Sequence, residues 1–332
     1  MKKAHHASAL LIRPRQPEDT PHIVALYNAQ EHDHPSQTPE RYEAENPLSD
    51  TSAHREKWVA IYKEEWAGYA SFYPAWWTGD PNTYSIEIRV EEHLKRQGIG
   101  TCLFEQILSR LKVQGANRLI CWLRDDIPAG LHFAKKRGFQ ETAQKMQDYR
   151  LFVPEVALKP FIDAEARLAQ NGISLITLAE AERWGEPFLR HLHALCNPIE
   201  EGNAQESSQA SFESWQKQTL RAEGVTPEAY WIALEEEIPV GVTFLKRLGA
   251  EDAENDYTGV APTHQGRGIA TALKGRAIAW AQQAGVLWFY TSSEVDNTPM
   301  IAINTRLGYR PGVVHREVEY GIRDLGRNNC SL

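Results

Sequence analysis

The sequence predicts an α+β protein made of two tandem domains, each a mixed, largely antiparallel sheet flanked by helices. Three observations predict it. The chain has 332 residues, which suits two domains of ordinary size better than one. Landmarks in the first half recur in the same order in the second. Within each copy, strand-like runs are interleaved with helical ones and glycine-rich turns, the pattern of an α+β domain.

Composition narrows the function. Apolar content of 42% and charged content of 24% are those of a soluble globular protein. Thirty-six basic side chains against 44 acidic ones leave a formal charge of -8, which argues against a nucleic-acid partner. No apolar run approaches the length of a membrane span. The start, MKKAHHASALLIRP, lacks an adequate apolar core before Arg13 and Pro14 for a signal peptide. Cys102, Cys121, Cys196 and Cys330 are scattered, with no C-x-x-C pair, and read as buried or idle thiols in a reducing compartment. The expectation is a cytoplasmic protein that meets neither nucleic acid nor membrane.

The repeat is explicit. "VEEHLKRQGIGTCLFEQIL" begins at Val90 and "VAPTHQGRGIATALKGRAI" at Val260. Gly98 matches Gly268, and Gly138 in "KKRGF" matches Gly308 in "TRLGY", all at the same offset. Upstream, "WVAIYKEEWAGYASF" at Trp58 matches "WIALEEEIPVGVTFL" at Trp231, with an offset longer by a short loop. Four ordered landmarks mean a duplicated domain, and the period is far too long for a solenoid. The expected division is 1–155, a linker helix over 156–172 with helical spacing at Phe161, Ala164 and Leu168, and 173–332.

The elements follow in order. "SALLIRP" and "ISLITL" open the two copies as strands. Pro21 to Ala29 reads as helix. Trp231–Leu234 and Pro239–Leu245 read as strands joined by a charged turn at Glu235 to Glu237. After the glycine turn, Ile269, Leu273, Ala277 and Trp280 keep helical spacing up to Gly285. "LWFYTS" is the next strand, Pro299 to Arg306 a short helix, and "VVHREVEYGI" a strand that closes the copy.

The turn "HQGRGIATALKGRA", His264 to Ala277, is built for an anion. The first N–H groups of a helix lack internal partners and carry the positive end of its dipole. Gly266 and Gly268 let the backbone approach a ligand, and Gln265 and Arg267 add donors. No third glycine stands at the dinucleotide-binding spacing, and no Gly-Lys-Ser/Thr follows.

These residues resemble the GNAT superfamily of acyl-CoA-dependent N-acyltransferases. The family loop Gln/Arg-x-x-Gly-x-Gly/Ala stands here as Gln265-Gly266-Arg267-Gly268-Ile269-Ala270, and again as Lys95-Arg96-Gln97-Gly98-Ile99-Gly100. Asn297, Met300 and Gly308-Tyr309 match a later segment. The resemblance spans nearly the whole chain and is similar to the tandem-domain bacterial members, the group that includes mycothiol synthase.

The resemblance implies acetyl-CoA as co-substrate and no metal. It implies that loop N–H groups from Gln265 to Thr271 bind the pyrophosphate, with Val90, Lys95 to Gly100 and Thr101 as their counterparts in the first copy. Val260 would pair with the pantetheine arm and, with its neighbours, meet the thioester oxygen. Asn297 would bond the same arm, cap its helix, or do both. Glu254, six residues before Val260, would be the base that takes a proton from the amine. Counting back six from Val90 gives Tyr84, with Glu87 and Glu91 out of register. The second catalytic position, four residues before the Gly-aromatic pair, holds a tyrosine acid in many members. Here it is Asn304, and Ala134 in the first copy, neither an acid. Ile127 stands where the second copy has Asn297. The first copy is thus expected to be degenerate and the second catalytic.

Three features carry less. "HDH" at His32 to His34 lacks a third metal ligand. "AWW" at Ala75 to Trp77 suits a pocket wall or a core. Glu200-Glu201 and the run from Glu251 to Asp256 suit a solvated surface or attraction for a cationic amine. The expected function is acetyl transfer to a small-molecule amine by direct attack. The alternatives are an acyl-CoA-binding sensor without catalysis, and acetylation of protein N-termini or lysines.

Overall fold

The computed structural model describes residues 9–31, 36–46, 55–196, 212–220 and 224–322. His32 to His34, Glu200-Glu201 and Cys330 lie outside the described residues. Two compact units emerge. The first takes its described residues from the chain up to Gln144 and again from Arg316, and the second is Lys145–His315.

The first unit begins with β1 (Leu10–Pro14), α1 (Thr20–Gln30) and α2 (Pro39–Glu45). The strands β2 (Glu56–Tyr62), β3 (Glu65–Pro74) and β4 (Thr83–Val90) follow, then α3 (Ile99–Val113), β5 (Arg118–Arg124) and α4 (Pro128–Lys136). Strands β1 to β4 pair antiparallel in sequence, and β5 joins β4 in parallel. The β2–β3 turn places Lys63 and Glu64 at φ 50° and 69°, the doubly left-handed turn whose twist matches a hairpin. Ile99, Leu103, Ile107 and Leu111 of α3, spaced by four, four and four, are buried against Trp58, Ala70 and Phe72 of the sheet.

The second unit repeats the plan. It holds the C-terminal part of β6 (Gln140–Phe152), then α5 (Lys159–Gln170), β7 (Ile173–Thr177), α6 (Leu178–Ala181), α7 (Gly185–Cys196) and α8 (Phe212–Trp215). After these come β8 (Trp231–Glu235), β9 (Ile238–Arg247), β10 (Asp252–Val260), α9 (Ile269–Gln283), β11 (Trp288–Glu294), α10 (Thr298–Leu307) and β12 (Arg310–Gly321). The β8–β9 turn repeats the left-handed pair at Glu236 and Glu237. Helix α5, the expected linker helix, buries Phe161, Ala164 and Leu168. A Cβ on Gly275 of α9 would lie 2.3 Å from Phe161 Cβ, so only glycine admits this close crossing.

The closing strands depart from the linear division 1–155, 156–172 and 173–332. From Lys145 on, β6 runs antiparallel to β11 in the second unit, from Met146 against Glu294 to Phe152 against Trp288. From Arg316 on, β12 belongs to the first unit, next to β5 in strand order. "VVHREVEYGI" therefore does not close its own copy. Val318 and Tyr320 enter the first unit's core, where the Tyr320 ring lies 5.2 Å from that of Phe139.

Candidate functional site

Each unit carries a glycine turn at the mouth of a parted pair of strands. The parallel pairing of β4 with β5 runs only from Thr83–Arg118 to Ser85–Ile120, and that of β10 with β11 from Asp252–Trp288 to Glu254–Tyr290. Beyond these pairs both strands continue, leaving β4 and β10 without a strand partner on that side, where a ligand can add to the edge. In the first unit a cavity of about 460 Å³ opens there. Ile86, Ile88 and Val90 of β4, Leu123 of β5 and Phe133 of α4 line it, and Gly98 to Thr101 close one end.

The turns are conformationally alike. Gly98 and Gly268 precede α3 and α9 at φ 86° and 87°, the left-handed region. Gly266 sits at φ 74°, and its counterpart Arg96 holds the same region at 66°. A Cβ on Gly98, Gly266 or Gly268 would meet nothing within 4 Å, so the space above each turn is open. Neither helix has a side-chain cap. Their first N–H groups therefore face this space as an anion cradle. In the first unit Arg137 adds a cation at the cleft, bonded to Thr101 Oγ1 and stacked 3.4 Å from the Phe133 ring centre. In the second, Gln265 Nε2 donates to Val260 O at 3.4 Å, and Arg267 is ion-paired to Glu235 at 3.0 Å. Hydrogen bonds from His264 and then Arg267 hold the Glu235 carboxyl below its usual range.

Glu254 is half-buried on β10 opposite Lys246 of β9. It stands at a β-bulge: between Glu254 and Tyr257 the register with β9 shifts by one. Asn255, 2% exposed, fastens the bulge by donating to Thr243 Oγ1 and Phe244 O at 2.9 Å and to Tyr257 O at 3.2 Å. β4 has no such shift against β3. The constant offset that matched Glu254 to Tyr84 therefore fails here by one residue. Tyr73 on β3 and Lys246 on β9 are equivalent, and they oppose Ser85 and Glu254 respectively. Ser85 is thus the counterpart of Glu254, and Tyr84 packs edge-on to Phe72 in the core.

The side chains of Glu87 and Arg89 alternate with those of Ile86 and Ile88 and so lie on the other face of β4, where Arg89 also borders the cavity. There they form an internal network. Tyr69 Oη and Arg89 Nε donate to Glu87 Oε1 at 2.9 and 2.6 Å, and Arg89 and Arg124 donate to Glu31 at 2.7 and 2.5 Å. Burial opposes ionisation of Glu87, but the Arg89 guanidinium outweighs it and leaves the carboxyl below its usual range. In the second unit the matching positions hold Tyr257 and Gly259.

Asn297 caps α10, its Oδ1 accepting from Met300 N at 3.1 Å. Asn304, fully buried, accepts from Lys274 Nζ at 3.0 Å. Lys274 and Asn255 were absent from the sequence reading. A signal existed for Lys274: its counterpart is Phe104, and Ala134 and Phe139 give way to Asn304 and Tyr309 in the same step. Trp77 of "AWW" is half-exposed, with its ring 6.2 Å from that of Tyr73. Among the described residues no cluster of three metal-ligating side chains occurs, and no helix is long and apolar enough to cross a membrane.

A parted strand pair, a glycine turn and an uncapped helix, present twice, define a tandem acyltransferase fold. The chain belongs to the Acetyltransferase (GNAT) family, whose family model matches residues 23–139 and 187–309. Mycothiol acetyltransferase of Saccharomonospora viridis is 26% identical over 253 residues, 70% of this chain and 72% of its own. That of Catenulispora acidiphila is 24% identical over 239 residues, 68% of each chain. Among solved structures, a GCN5-related N-acetyltransferase from Sphaerobacter thermophilus matches with a TM-score of 0.73 at 18% identity, covering 96% of this chain and 97% of that one. A tandem GNAT protein from the clavulanic acid biosynthesis pathway matches with a TM-score of 0.69 at 19% identity, covering 94% and 98%. At these identities both show the fold.

Proposed function

We propose that the protein transfers acetyl from acetyl-CoA to the amine of a small molecule, and that the second unit carries the chemistry. The observation that carries this reading is the pairing of an open, uncapped glycine turn with a carboxylate, Glu254, on the strand that leads into it. The turn suits a pyrophosphate and the free edge of β10 suits an amide-bearing arm. Glu254 suits removal of a proton from the attacking amine. Loop N–H groups from Gln265 to Thr271, with Val260 and Asn297, would hold the donor, and Val90 and Lys95 to Thr101 would hold a second molecule in the first unit.

The first unit's binding turn supports cofactor binding there. Its strand face supports no chemistry: Ser85 replaces Glu254, and the Glu31–Arg89–Glu87 ion pairs fill the face that the Tyr257 ring covers at Gly259 in the second unit. The relatives named mycothiol acetyltransferase support a small-molecule acceptor. Cytoplasmic location, read from the scattered cysteines, and the absence of nucleic-acid partners, read from the acidic composition, remain part of this reading.

Release of CoA from acetyl-CoA in the presence of a panel of small amines tests it. Amine-dependent release from the full chain supports the enzyme. Binding of acetyl-CoA without release across the panel, or release only with peptide amines, favours the sensor or the protein acetyltransferase.

A further inference from the structure

The second unit buries three polar side chains where the first buries apolar ones. In the first unit Phe104, Ala134 and Phe139 line the cleft, and the two rings lie 5.7 Å apart. The matching positions hold Lys274, Asn304 and Tyr309. Lys274 is 2% exposed, donates to Asn304 Oδ1 at 3.0 Å, and lies 5.2 Å from the centre of the Tyr309 ring. Asn304 Nδ2 and the Tyr309 hydroxyl are buried with no hydrogen-bond partner.

The first unit closes the same fold without these groups, so packing does not require them. An ammonium, an amide N–H and a phenol are all donors. The three groups share one hydrogen bond, from Lys274 to Asn304 Oδ1, so buried donor capacity is left unmet, which is costly unless a ligand supplies acceptors. Burial lowers Lys274 to about 7, and among the described residues no charged neighbour contributes to that shift. Tyr309 is the titratable side chain facing it. Burial pushes that phenol far above its usual range, so it stays a donor.

We infer that Lys274, held by Asn304, is the group that protonates the thiolate leaving the acetyl donor in the second unit. This rests on the reading of that unit as the site of transfer. The amine nitrogen bonds to the thioester carbon, the C–S bond breaks, and its electron pair stays on sulfur. The Lys274 ammonium gives sulfur a proton, and CoA departs as a thiol. Glu254 takes the proton lost by the amine. Solvent then returns one proton to Lys274 and removes one from Glu254. A donor poised near the working pH suits this step, and its charge stabilises the sulfur before the proton moves. Lys274 is the catalytic group and Asn304 a positioning residue.

The thiol of bound CoA, followed by its thiolate absorbance in the full chain, tests the assignment. In the wild type, the CoA lost on Gly268→Glu should ionise at a pH lower by about one to three than in Lys274→Met, because an ammonium within reach favours the thiolate. Turnover of Lys274→Met should fall about 10²-fold at neutral pH with the KM for acetyl-CoA little changed, and its basic limb should disappear. Asn304→Leu should move that limb without removing it. Should Met at 274 not fold, Lys274→Gln removes the charge and keeps the bond to Asn304. Identical thiol titrations in wild type and Lys274→Met overturn the proposal. CoA stoichiometry unchanged by Gly268→Glu overturns the placement of the donor in the second unit, and the proposal with it. Succinyl-CoA bound more tightly than acetyl-CoA, with the preference lost in Lys274→Met, also overturns it and assigns the cluster to an acyl carboxylate.

Discussion

Arg267 Nη2 lies 3.0 Å from one oxygen of Glu235, and His264 Nε2 lies 2.9 Å from the other. One carboxylate on β8 thus occupies two donors of the second glycine turn. Glu235→Gln should free Arg267 for a phosphate. The pair is partly exposed, so the gain is modest: acetyl-CoA should bind about two- to fivefold more tightly at low salt. Calorimetry across a salt series reads it. An unchanged affinity would mean that Arg267 does not reach the phosphates.

Glu254→Gln should lower turnover by about 10²–10⁴-fold and leave acetyl-CoA binding nearly intact, because a base acts on the amine and not on the cofactor. Turnover unchanged across a pH series would remove Glu254 from the mechanism.

Gly98→Glu and Gly268→Glu separate the two turns. Each puts a bulky anion into the open space above a glycine held at positive φ. Each should reduce bound acetyl-CoA from two molecules per chain to one, and turnover should be lost with Gly268→Glu alone. Loss of turnover in a folded Gly98→Glu protein would give the first unit a direct part in the chemistry.

Asn255 bonds Thr243 and Phe244 on β9 and Tyr257 on its own strand, so Asn255→Leu should remove these buried hydrogen bonds. The expected cost is about 1–3 kcal/mol of stability. The bulge also sets the register of Glu254, so turnover should fall further than stability explains. A variant that loses stability alone would make the bulge purely structural.

Lys274→Met should alter the pH dependence of stability. The folded lysine titrates at about 7 against 10.5 in the unfolded chain, so between these values the unfolded state binds more protons. Its burial penalty is fully present below about pH 7 and fades as pH rises toward 10.5. The Tm of Lys274→Met relative to wild type should therefore be highest near pH 6 and decline as pH rises. A constant difference would trace the effect to packing rather than charge.

The duplication, the glycine turns and their helices were legible in the sequence because their causes are local. Gly98 and Gly268 are needed where φ is positive, and Phe161, Ala164 and Leu168 keep helical spacing wherever α5 packs. Three things were decided only by the tertiary structure. A bulge adds one residue to a strand without a mark in its composition, so counting back from Val90 reached Tyr84 where pairing selects Ser85. The alternating pattern of β12 fits the edge of any sheet with an apolar face, and only the sheet that accepts it shows that Arg316 onward completes the first unit. A lysine on a helix ordinarily reads as solvated. Lys274 is buried because α9 is covered on several sides, with α5 pressed against Gly275, and Asn304 on another helix supplies its acceptor. Local chemistry sets what each segment can form, while burial and register are properties of what packs against it.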